Sequence, residues 1–135
     1  MKPTSNDFYR EHAERYSEVT HGFIQSVFTN ISHPKLTHDT VIFERMKELI
    51  PRSGRGFDAG CGSGARDVFW YNQEGYDMIG VDAVKENIEV ARSQHPVIAD
   101  RVSVADLRLP ITHPDASFDF VLCNAVIQHI EPAVV

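Results

Sequence analysis

Three features that would each identify a class of protein are absent from this sequence. None of its apolar runs approaches the roughly 20 residues that a membrane-spanning helix requires. The first seven residues contain no hydrophobic segment of the kind that a signal peptide carries. Cysteine is scarce, and we expect the two that are present, Cys61 and Cys123, to be reduced thiols that are mostly buried. We therefore expect a cytoplasmic protein with a single, modest hydrophobic core.

Clustered positive charge is also missing. The chain has 13 Lys and Arg against 19 Asp and Glu, a net charge of −6, and its basic residues are scattered. Proteins that bind nucleic acid attract the phosphate backbone through basic surface. On this ground we expect neither nucleic acid nor a membrane as a partner, and a small molecule as the ligand.

The spacing of apolar residues divides the chain into two parts. An N-terminal segment, residues 1–53, is predicted to contain helices over 5–29 and 39–50, with Gly22 as a candidate break in the first. From residue 54 to residue 135 the pattern alternates between strands and helices. Strands are predicted over 55–59, 77–82, 102–105 and 118–124, and helices over 65–74, 84–95 and 125–130. This alternation predicts an α/β fold with a parallel sheet and right-handed crossovers.

A glycine-rich turn follows the first predicted strand. Gly60, Gly62 and Gly64 alternate there, directly before the first crossover helix. Gly60 permits a positive φ, Gly62 allows a ligand to approach the backbone, and the amides at the helix start favour an anionic group. The spacing from Gly60 to Ala65 also satisfies the dinucleotide-binding fingerprint, so the turn alone leaves the ligand open.

Aspartates at the ends of three successive strands narrow the choice of ligand. Asp82 lies 22 residues after Gly60 and can accept hydrogen bonds from ribose hydroxyls, or cap the helix that follows. Asp106 can accept from the amine of adenine, or serve as a turn residue before Arg108. Asp58, beside the glycine turn, suits a ligand that carries an ammonium group. A pyrophosphate is itself anionic and gains nothing from a neighbouring carboxylate, so Asp58 argues against a dinucleotide as the ligand.

Four segments of the sequence, 57–64, 79–82, 105–107 and 118–124, together resemble the class I S-adenosylmethionine-dependent methyltransferases. They occur in the order of that family, over about residues 55–131, and are most similar to its small-molecule branch. The resemblance implies a Rossmann-like parallel sheet with strand order 3-2-1-4. It also implies S-adenosyl-L-methionine as the cofactor and a small-molecule methyl acceptor.

The same resemblance implies roles for individual residues. The glycine turn would hold the methionine part of the cofactor, Asp82 the ribose, and Asn124 the surroundings of the sulfonium. The N-terminal helices would form a lid, and His129 is the candidate base, although a lone histidine is more often a packing or surface residue. No metal site is predicted. The predicted cofactor-binding residues are Tyr16, Asp58, Gly60, Cys61, Gly62, Gly64, Asp82, Ala83, Asp106, Leu107 and Asn124.

Two other functions fit part of this pattern. The NAD-binding half of a dehydrogenase would share the glycine turn and Asp82, but it explains neither Asp58 nor Asp106. A non-catalytic S-adenosylmethionine-binding module would keep the motifs without a complete substrate site. The family's sheet has more strands than the four found here, and an apolar run over 118–127 suits a strand paired on both sides. We therefore expect a portion of a longer enzyme, or a homo-oligomer or partner that covers strand four.

Overall fold

A computed structural model describes residues 4–28, with side chains to residue 18, and residues 44–130. The first helix, α1, spans Ser5–Phe28, and its backbone departs from helical dihedrals at His12 (φ −120°, ψ 15°) rather than at Gly22. Thr4 precedes it, and the Thr4 Oγ1 and Asp7 side chain exchange hydrogen bonds with each other's backbone amides. Residues 44–49 are helical (α2), and the rest of the second predicted helix lies outside the described residues.

The central layer is a four-stranded parallel sheet. Its strands are β1 (Arg55–Ala59), β2 (Asp77–Asp82), β3 (Val102–Val104) and β4 (Phe120–Leu122), in the order β3-β2-β1-β4. The crossover helices are α3 (Arg66–Gln73) and α4 (Lys85–Gln94), and short 3-10 turns cover Pro96–Ile98 and Ile127–His129. The predicted α/β class, Rossmann-like topology and strand order are confirmed.

The hydrophobic core lies on both faces of the sheet. One cluster joins α3, α4 and β2, and its members include Val68, Tyr71, Met78, Ile88 and Val102. A smaller cluster on the other face centres on Phe57, Ala59 and Val81. These two layers fix the carboxyl ends of β1 and β2, from which the glycine turn and Asp82 project. No helix among the described residues is both long enough and apolar enough to cross a membrane.

The segment around β4 differs from its prediction in three ways. Strand β4 has three residues rather than the predicted 118–124; within the described residues it pairs with β1 alone, as the predicted strand order implies, and the side chain of Val121 is 58% exposed. Cys123 is exposed as well, whereas Cys61 is buried as expected. In place of a helix over 125–130 there is only the 3-10 turn Ile127–His129, which follows Ala125 in a left-handed conformation (φ 56°). Apolar character alone therefore overstated the length of this strand, and the expected cover of β4 by the rest of a longer enzyme or by a partner stays a prediction.

Candidate functional site

A cavity of about 400 Å³ lies at the carboxyl ends of the strands. Its wall combines the start of α1, the tip of β1, the end of β2 with α4, the turn after β3, and the segment after β4. Ligands of α/β proteins bind at this edge of the sheet, and the volume suits a small molecule or cofactor. Of the residues predicted from the sequence, the cavity brings together Gly60, Asp82, Ala83, Asp106, Leu107 and His129.

The glycine turn is held by the neighbouring strand. The amides of Gly60 and Cys61 both donate to the Val81 carbonyl, at 2.9 and 2.8 Å. Gly60 has φ 94°, and a Cβ there would lie 2.3 Å from the Cγ2 of Val126. Gly62 has φ 70°, but a Cβ there would meet nothing within 4 Å. Gly60 is thus required by packing and conformation together, while Gly62 borders open space.

Asp82 fastens this turn to the next helix. Its Oδ2 accepts the Gly62 amide at 3.0 Å, and its Oδ1 accepts the Val84 amide at 2.9 Å and the Asn87 Nδ2 at 3.0 Å. The bond to Val84 is an Asx-type turn ahead of α4, and the N-cap of α4 is Val84, so Asp82 does not take the alternative role of helix cap. The carboxylate is therefore fixed in position before any ligand arrives.

Asp58 lies behind the glycine turn, where it is only 3% exposed. Burial, followed by the nearby charge of Asp67, raises the pKa of Asp58 well above its ordinary value. Asp67 in turn accepts hydrogen bonds from Arg66 Nε at 2.9 Å and Asn124 Nδ2 at 3.0 Å. Asn124 thus contacts α3 and lies outside the cavity lining, and Asp67 is a member of this cluster that the sequence analysis did not identify.

Four further predicted residues lie outside the lining. The Cys61 side chain packs in the core, and burial raises the pKa of its thiol, so only its backbone is available to the turn. Gly64 is buried, and Gly62 adjoins the wall without lining it. Tyr16 is 38% exposed and packs edge-to-face on the Tyr9 ring at 5.2 Å. Apart from Gly60 and His129, the cavity therefore gathers the residues predicted for the adenosine end, and the other residues predicted for the methionine end lie outside its lining.

Asp106 is engaged by its neighbour. It accepts the Arg108 amide at 2.9 Å and several contacts from the Arg108 guanidinium, and these hydrogen bonds lower the pKa of the Asp106 carboxyl. This is the turn arrangement that the sequence left as an alternative. Leu107, beside it, packs against the cluster around Phe57.

His129 contacts the N-terminal helix. Its Nε2 lies 3.4 Å from the Tyr9 hydroxyl, and its Nδ1 lies 3.1 Å from Ser5 Oγ. Burial, then the proximity of Tyr16 and Asp82, raises the pKa of Tyr9, so the phenol remains protonated at neutral pH. The start of α1 and the turn after β4 therefore close one side of the cavity together. No local pattern in the sequence pairs Tyr9 with a histidine 120 residues away.

Among the side chains of residues 4–18 and 44–130, no three His, Cys, Asp or Glu come together as a metal site would require. The cavity is lined by carboxylates, hydroxyl side chains, the guanidiniums of Arg10 and Arg108, and the imidazole of His129.

The chain matches a family of known proteins over most of this fold. A family model described as a methyltransferase domain matches residues 57–135. The tRNA (carboxymethyluridine(34)-5-O)-methyltransferase of Schizosaccharomyces pombe is 30% identical over 116 residues, which are 86% of this chain and 46% of that protein. The chain thus spans about half the length of this relative.

Solved structures agree with the fold. A TehB-like S-adenosylmethionine-dependent methyltransferase from Corynebacterium glutamicum is 26% identical, with a TM-score of 0.56 over 66% of this chain and 47% of that one. A protein from Methanococcus maripaludis, 18% identical, superposes over 98% of this chain and 57% of its own with a TM-score of 0.69. At that identity the second likeness supports the fold alone.

One expectation is overturned by these relatives. We expected no nucleic acid partner because the net charge is −6, yet the Schizosaccharomyces pombe relative is named for methylation of a tRNA. A net charge sums over the chain and does not locate basic surface, so it could not exclude RNA.

The described residues fit the cofactor of this family, S-adenosyl-L-methionine. Asp58 is a buried carboxyl that a cationic group would stabilise in its charged form. Ser63 Oγ is buried without a hydrogen-bond partner among the described residues, and the space beside Gly62 is open. With the matched domain, the strand order and the acid-lined cavity in agreement, the chain belongs to the class I S-adenosylmethionine-dependent methyltransferase family.

Proposed function

We propose that this chain binds S-adenosylmethionine in the cavity at the strand ends and that the protein transfers the methyl group to an acceptor. The observation that carries the proposal is the position of Asp82, which is prepositioned beside the glycine turn in a cavity of suitable size. The family match to a methyltransferase domain supports it independently.

Each part of the wall has a counterpart in the chemistry of such a ligand. Asp82 would accept from the ribose, Asp106 and Leu107 would border the adenine, and Asp58 would attract the ammonium group. When bound, the cofactor supplies a methyl group activated by a positively charged sulfur. The protein then has to place the acceptor and exclude water, which are positioning tasks.

We propose that His129 acts with Tyr9 when the acceptor carries a proton. The Tyr9 hydroxyl would pass its proton to His129 Nε2 and take the proton of a hydroxyl or amine acceptor in exchange. Ser5 Oγ, at Nδ1, would hold the ring in place. An acceptor that is already anionic, such as a carboxylate, has no proton to lose, and there the pair would act only by position.

For the acceptor we propose a tRNA nucleoside, since the Schizosaccharomyces pombe relative, at 30% identity, is named as a tRNA methyltransferase. The small-molecule acceptor expected from the sequence is the competing possibility, and the two are separable by one assay. Labelled S-adenosylmethionine is incubated with the protein and either total tRNA, nuclease-digested tRNA, or a nucleic acid-free metabolite extract. Label in intact tRNA that disappears with nuclease treatment supports the RNA acceptor, and label in the extract supports a small molecule.

A binding measurement separates failure of the acceptor proposal from failure of the cofactor proposal. Calorimetric titration with S-adenosylhomocysteine is expected to show binding that Asp82→Ala weakens. If neither the cofactor nor its product binds, the proposed function is wrong. Binding without transfer to any acceptor would instead favour a non-catalytic module.

A further inference from the structure

Aromatic side chains in the first half of α1 form an exposed patch beside the cavity. Phe8 is 50% exposed and Tyr16 is 38% exposed, and both contact the ring of Tyr9, at centroid distances of 5.5 and 5.2 Å. Single apolar residues are ordinary on a protein surface, whereas exposed rings that adjoin one another indicate an interaction site. The arrangement of these rings indicates which kind of partner they suit.

Two exposed rings of this patch form a parallel stack. The Phe8 and His12 rings lie 4.6 Å apart, with an interplanar angle of 15°. His12 Nδ1 lies 2.9 Å from the Phe8 carbonyl oxygen, and because a carbonyl only accepts, Nδ1 donates and the imidazole plane is fixed. His12 is also the residue at which α1 departs from helical dihedrals. The Phe8–His12 pair is thus assembled before any partner arrives.

The Phe8–His12 pair is connected to the cavity through Tyr9. The Tyr9 ring meets the Phe8 ring at 82° and the His129 ring at 87°, with its centroid 5.6 Å from that of His129. Tyr9 and His129 line the cavity, whereas Phe8 and His12 lie outside its lining. An acceptor that reaches Tyr9 from the cavity would therefore bring its remaining parts beside the Phe8–His12 pair.

A nucleobase suits this pair better than an aliphatic partner does. Stacking needs flat rings that lie parallel, and it takes place with any base because every base has a flat ring face. Unpaired bases of RNA loops are bound in this way. An aliphatic segment of a protein or lipid would gain only from the area that it covers, and the fixed imidazole plane would add nothing.

We propose that the Phe8–His12 pair stacks on a base of the acceptor RNA next to the nucleoside that enters the cavity. This inference rests on the proposed function and specifies the acceptor further, because the modified nucleoside must then lie in an unpaired segment whose neighbouring base is free to stack. Phe8 and His12 are positioning residues, since they touch neither the cavity nor the reacting group.

The test is the affinity of Phe8→Leu for an RNA hairpin whose loop consists of seven unpaired uridines. Leucine keeps the apolar character of the side chain and removes the flat ring, so binding, measured by fluorescence anisotropy, should weaken about 10-fold. Phe8→Trp keeps a flat ring and should bind within about 2-fold of the native protein. The loss in Phe8→Leu should be equal at 50 and 200 mM salt, because stacking releases no counterions.

Hairpins in which one loop uridine is replaced by an abasic residue locate the stacked base. With the native protein, at least one such hairpin should bind about 10-fold more weakly than the parent. Phe8→Leu should reduce that penalty to within about 2-fold, because the base and the ring are two halves of one contact. If no abasic position weakens binding to the native protein, no base is stacked and the inference is wrong.

Leu49→Ala is the matched surface control. Leu49 is 70% exposed and lies on α2, away from the cavity lining. Its substitution should leave the affinity for the hairpin unchanged, which separates the loss of a stacked ring from a general loss of exposed apolar surface.

Titration with S-adenosylhomocysteine separates this inference from the proposed function. Phe8→Leu should bind it within about 2-fold of the native protein; an equal loss for it and for RNA would show that Phe8 only shapes the wall, and the inference would be wrong. If Phe8→Leu instead changes a dimer into a monomer in sedimentation and leaves RNA binding unchanged, a second copy of the chain covers the patch. A native protein that binds S-adenosylhomocysteine but no RNA would overturn the RNA acceptor and this inference together, whereas a native protein that binds no S-adenosylhomocysteine would overturn the cofactor proposal.

Discussion

The two walls of the cavity are built in different ways. The β1–β2 wall consists of the glycine turn and the end of β2 with the start of α4. Its polar groups are held by hydrogen bonds within this wall: the Gly60 and Cys61 amides donate to the Val81 carbonyl, and Asp82 accepts three hydrogen bonds from the turn and from the start of α4. The opposite wall, which we call the β4 wall, consists of residues 123–130, which follow the three-residue strand β4. Here the chain passes through the left-handed residue Ala125 into a single 3-10 turn. This wall is anchored by side chains from distant parts of the sequence, through Asn124 to Asp67 and through His129 to Tyr9.

This difference separates two tasks. A wall held by its own backbone presents the same acceptors with or without a ligand, which suits recognition of a constant cofactor. A wall held by a few side-chain contacts can be changed residue by residue, which suits adaptation to an acceptor. The two walls touch where Val126 packs over Gly60.

The largest effect is expected from breaking that contact. Gly60→Ala combines a positive φ with a Cβ that would lie 2.3 Å from Val126, and we expect it to lower the free energy of unfolding by about 3 kcal/mol. Gly62→Ala shares the positive φ but meets open space, and it should cost about 1 kcal/mol. Urea denaturation of the two variants gives the comparison directly.

A second substitution tests whether the contact between Gly60 and Val126 causes this loss of stability. In the Gly60→Ala background, Val126→Ala removes the methyl groups that the new Cβ would strike, and should restore about 1–2 kcal/mol. Equal losses at the two glycines, with no recovery from Val126→Ala, would show that the walls do not depend on each other.

The next effect is that of Asp82→Ala, which removes the acceptor that organises the β1–β2 wall. Its loss releases the Gly62 and Val84 amides and Asn87 Nδ2, so we expect about 2 kcal/mol of lost stability and about 100-fold weaker S-adenosylhomocysteine binding. Asp106→Ala is the matched control, since its carboxylate serves an exposed Arg108; a loss of less than about 10-fold is expected. Calorimetry measures the affinity of both variants for S-adenosylhomocysteine. Equal losses of affinity would mean that Asp82 contributes no more to cofactor binding than Asp106 does.

The β1–β2 wall could be predicted from the sequence because its contacts lie within one strand–helix–strand unit and the helix that follows it. β1 and β2 have the predicted bounds, and Asp82 bonds to residues two and five positions ahead. Even Asn87 left a signal: with Val84, Ile88 and Ala91 it forms the buried face of α4, where a polar residue is out of place.

The β4 wall could not be predicted in the same way. The apolar run over 118–124 suggested a long strand, but apolar character does not fix backbone pairing, and only Phe120–Leu122 pairs with β1. The contacts Tyr9–His129 and Asn124–Asp67 join residues 120 and 57 positions apart, which no spacing reveals. The predicted site was therefore most complete within the strand–helix–strand unit from β1 to β2, whose residue spacing is regular.

A smaller effect is expected at Asp58, behind the glycine turn. Its pKa is raised in the folded protein by burial and by Asp67, so above its unfolded pKa of about 4 the folded state holds a proton that the unfolded state has lost. Its contribution to stability is thus complete below that pH and declines as the pH rises through the raised pKa. We expect Asp58→Asn to remove this decline, and to weaken S-adenosylhomocysteine binding about 10-fold, because the ammonium loses its charged partner.

Urea denaturation of the native protein and Asp58→Asn from pH 4 to pH 8 checks the first part, and calorimetry checks the second. Asp67→Asn is the matched control: it removes the neighbouring charge, so the pKa of Asp58 should fall and the decline should become shallower. A native protein whose stability rises with pH over this range, with no change in Asp58→Asn, would contradict the assigned charge state.

The smallest effect on stability is expected at the β4 wall, from Tyr9→Phe. The hydroxyl lies 3.4 Å from His129 Nε2 in an exposed contact, so its removal should change the free energy of unfolding by less than about 0.5 kcal/mol. Affinity for S-adenosylhomocysteine should stay within about 2-fold, since the β1–β2 wall is untouched. With a hydroxyl or amine acceptor, however, methyl transfer should slow by at least about 10-fold, because His129 loses its link to the acceptor's proton. Tyr16→Phe, which leaves the hydroxyl of Tyr9 in place, should not slow it. If both phenylalanine variants transfer methyl at the native rate to such an acceptor, His129 and Tyr9 hold the wall together without taking part in proton transfer.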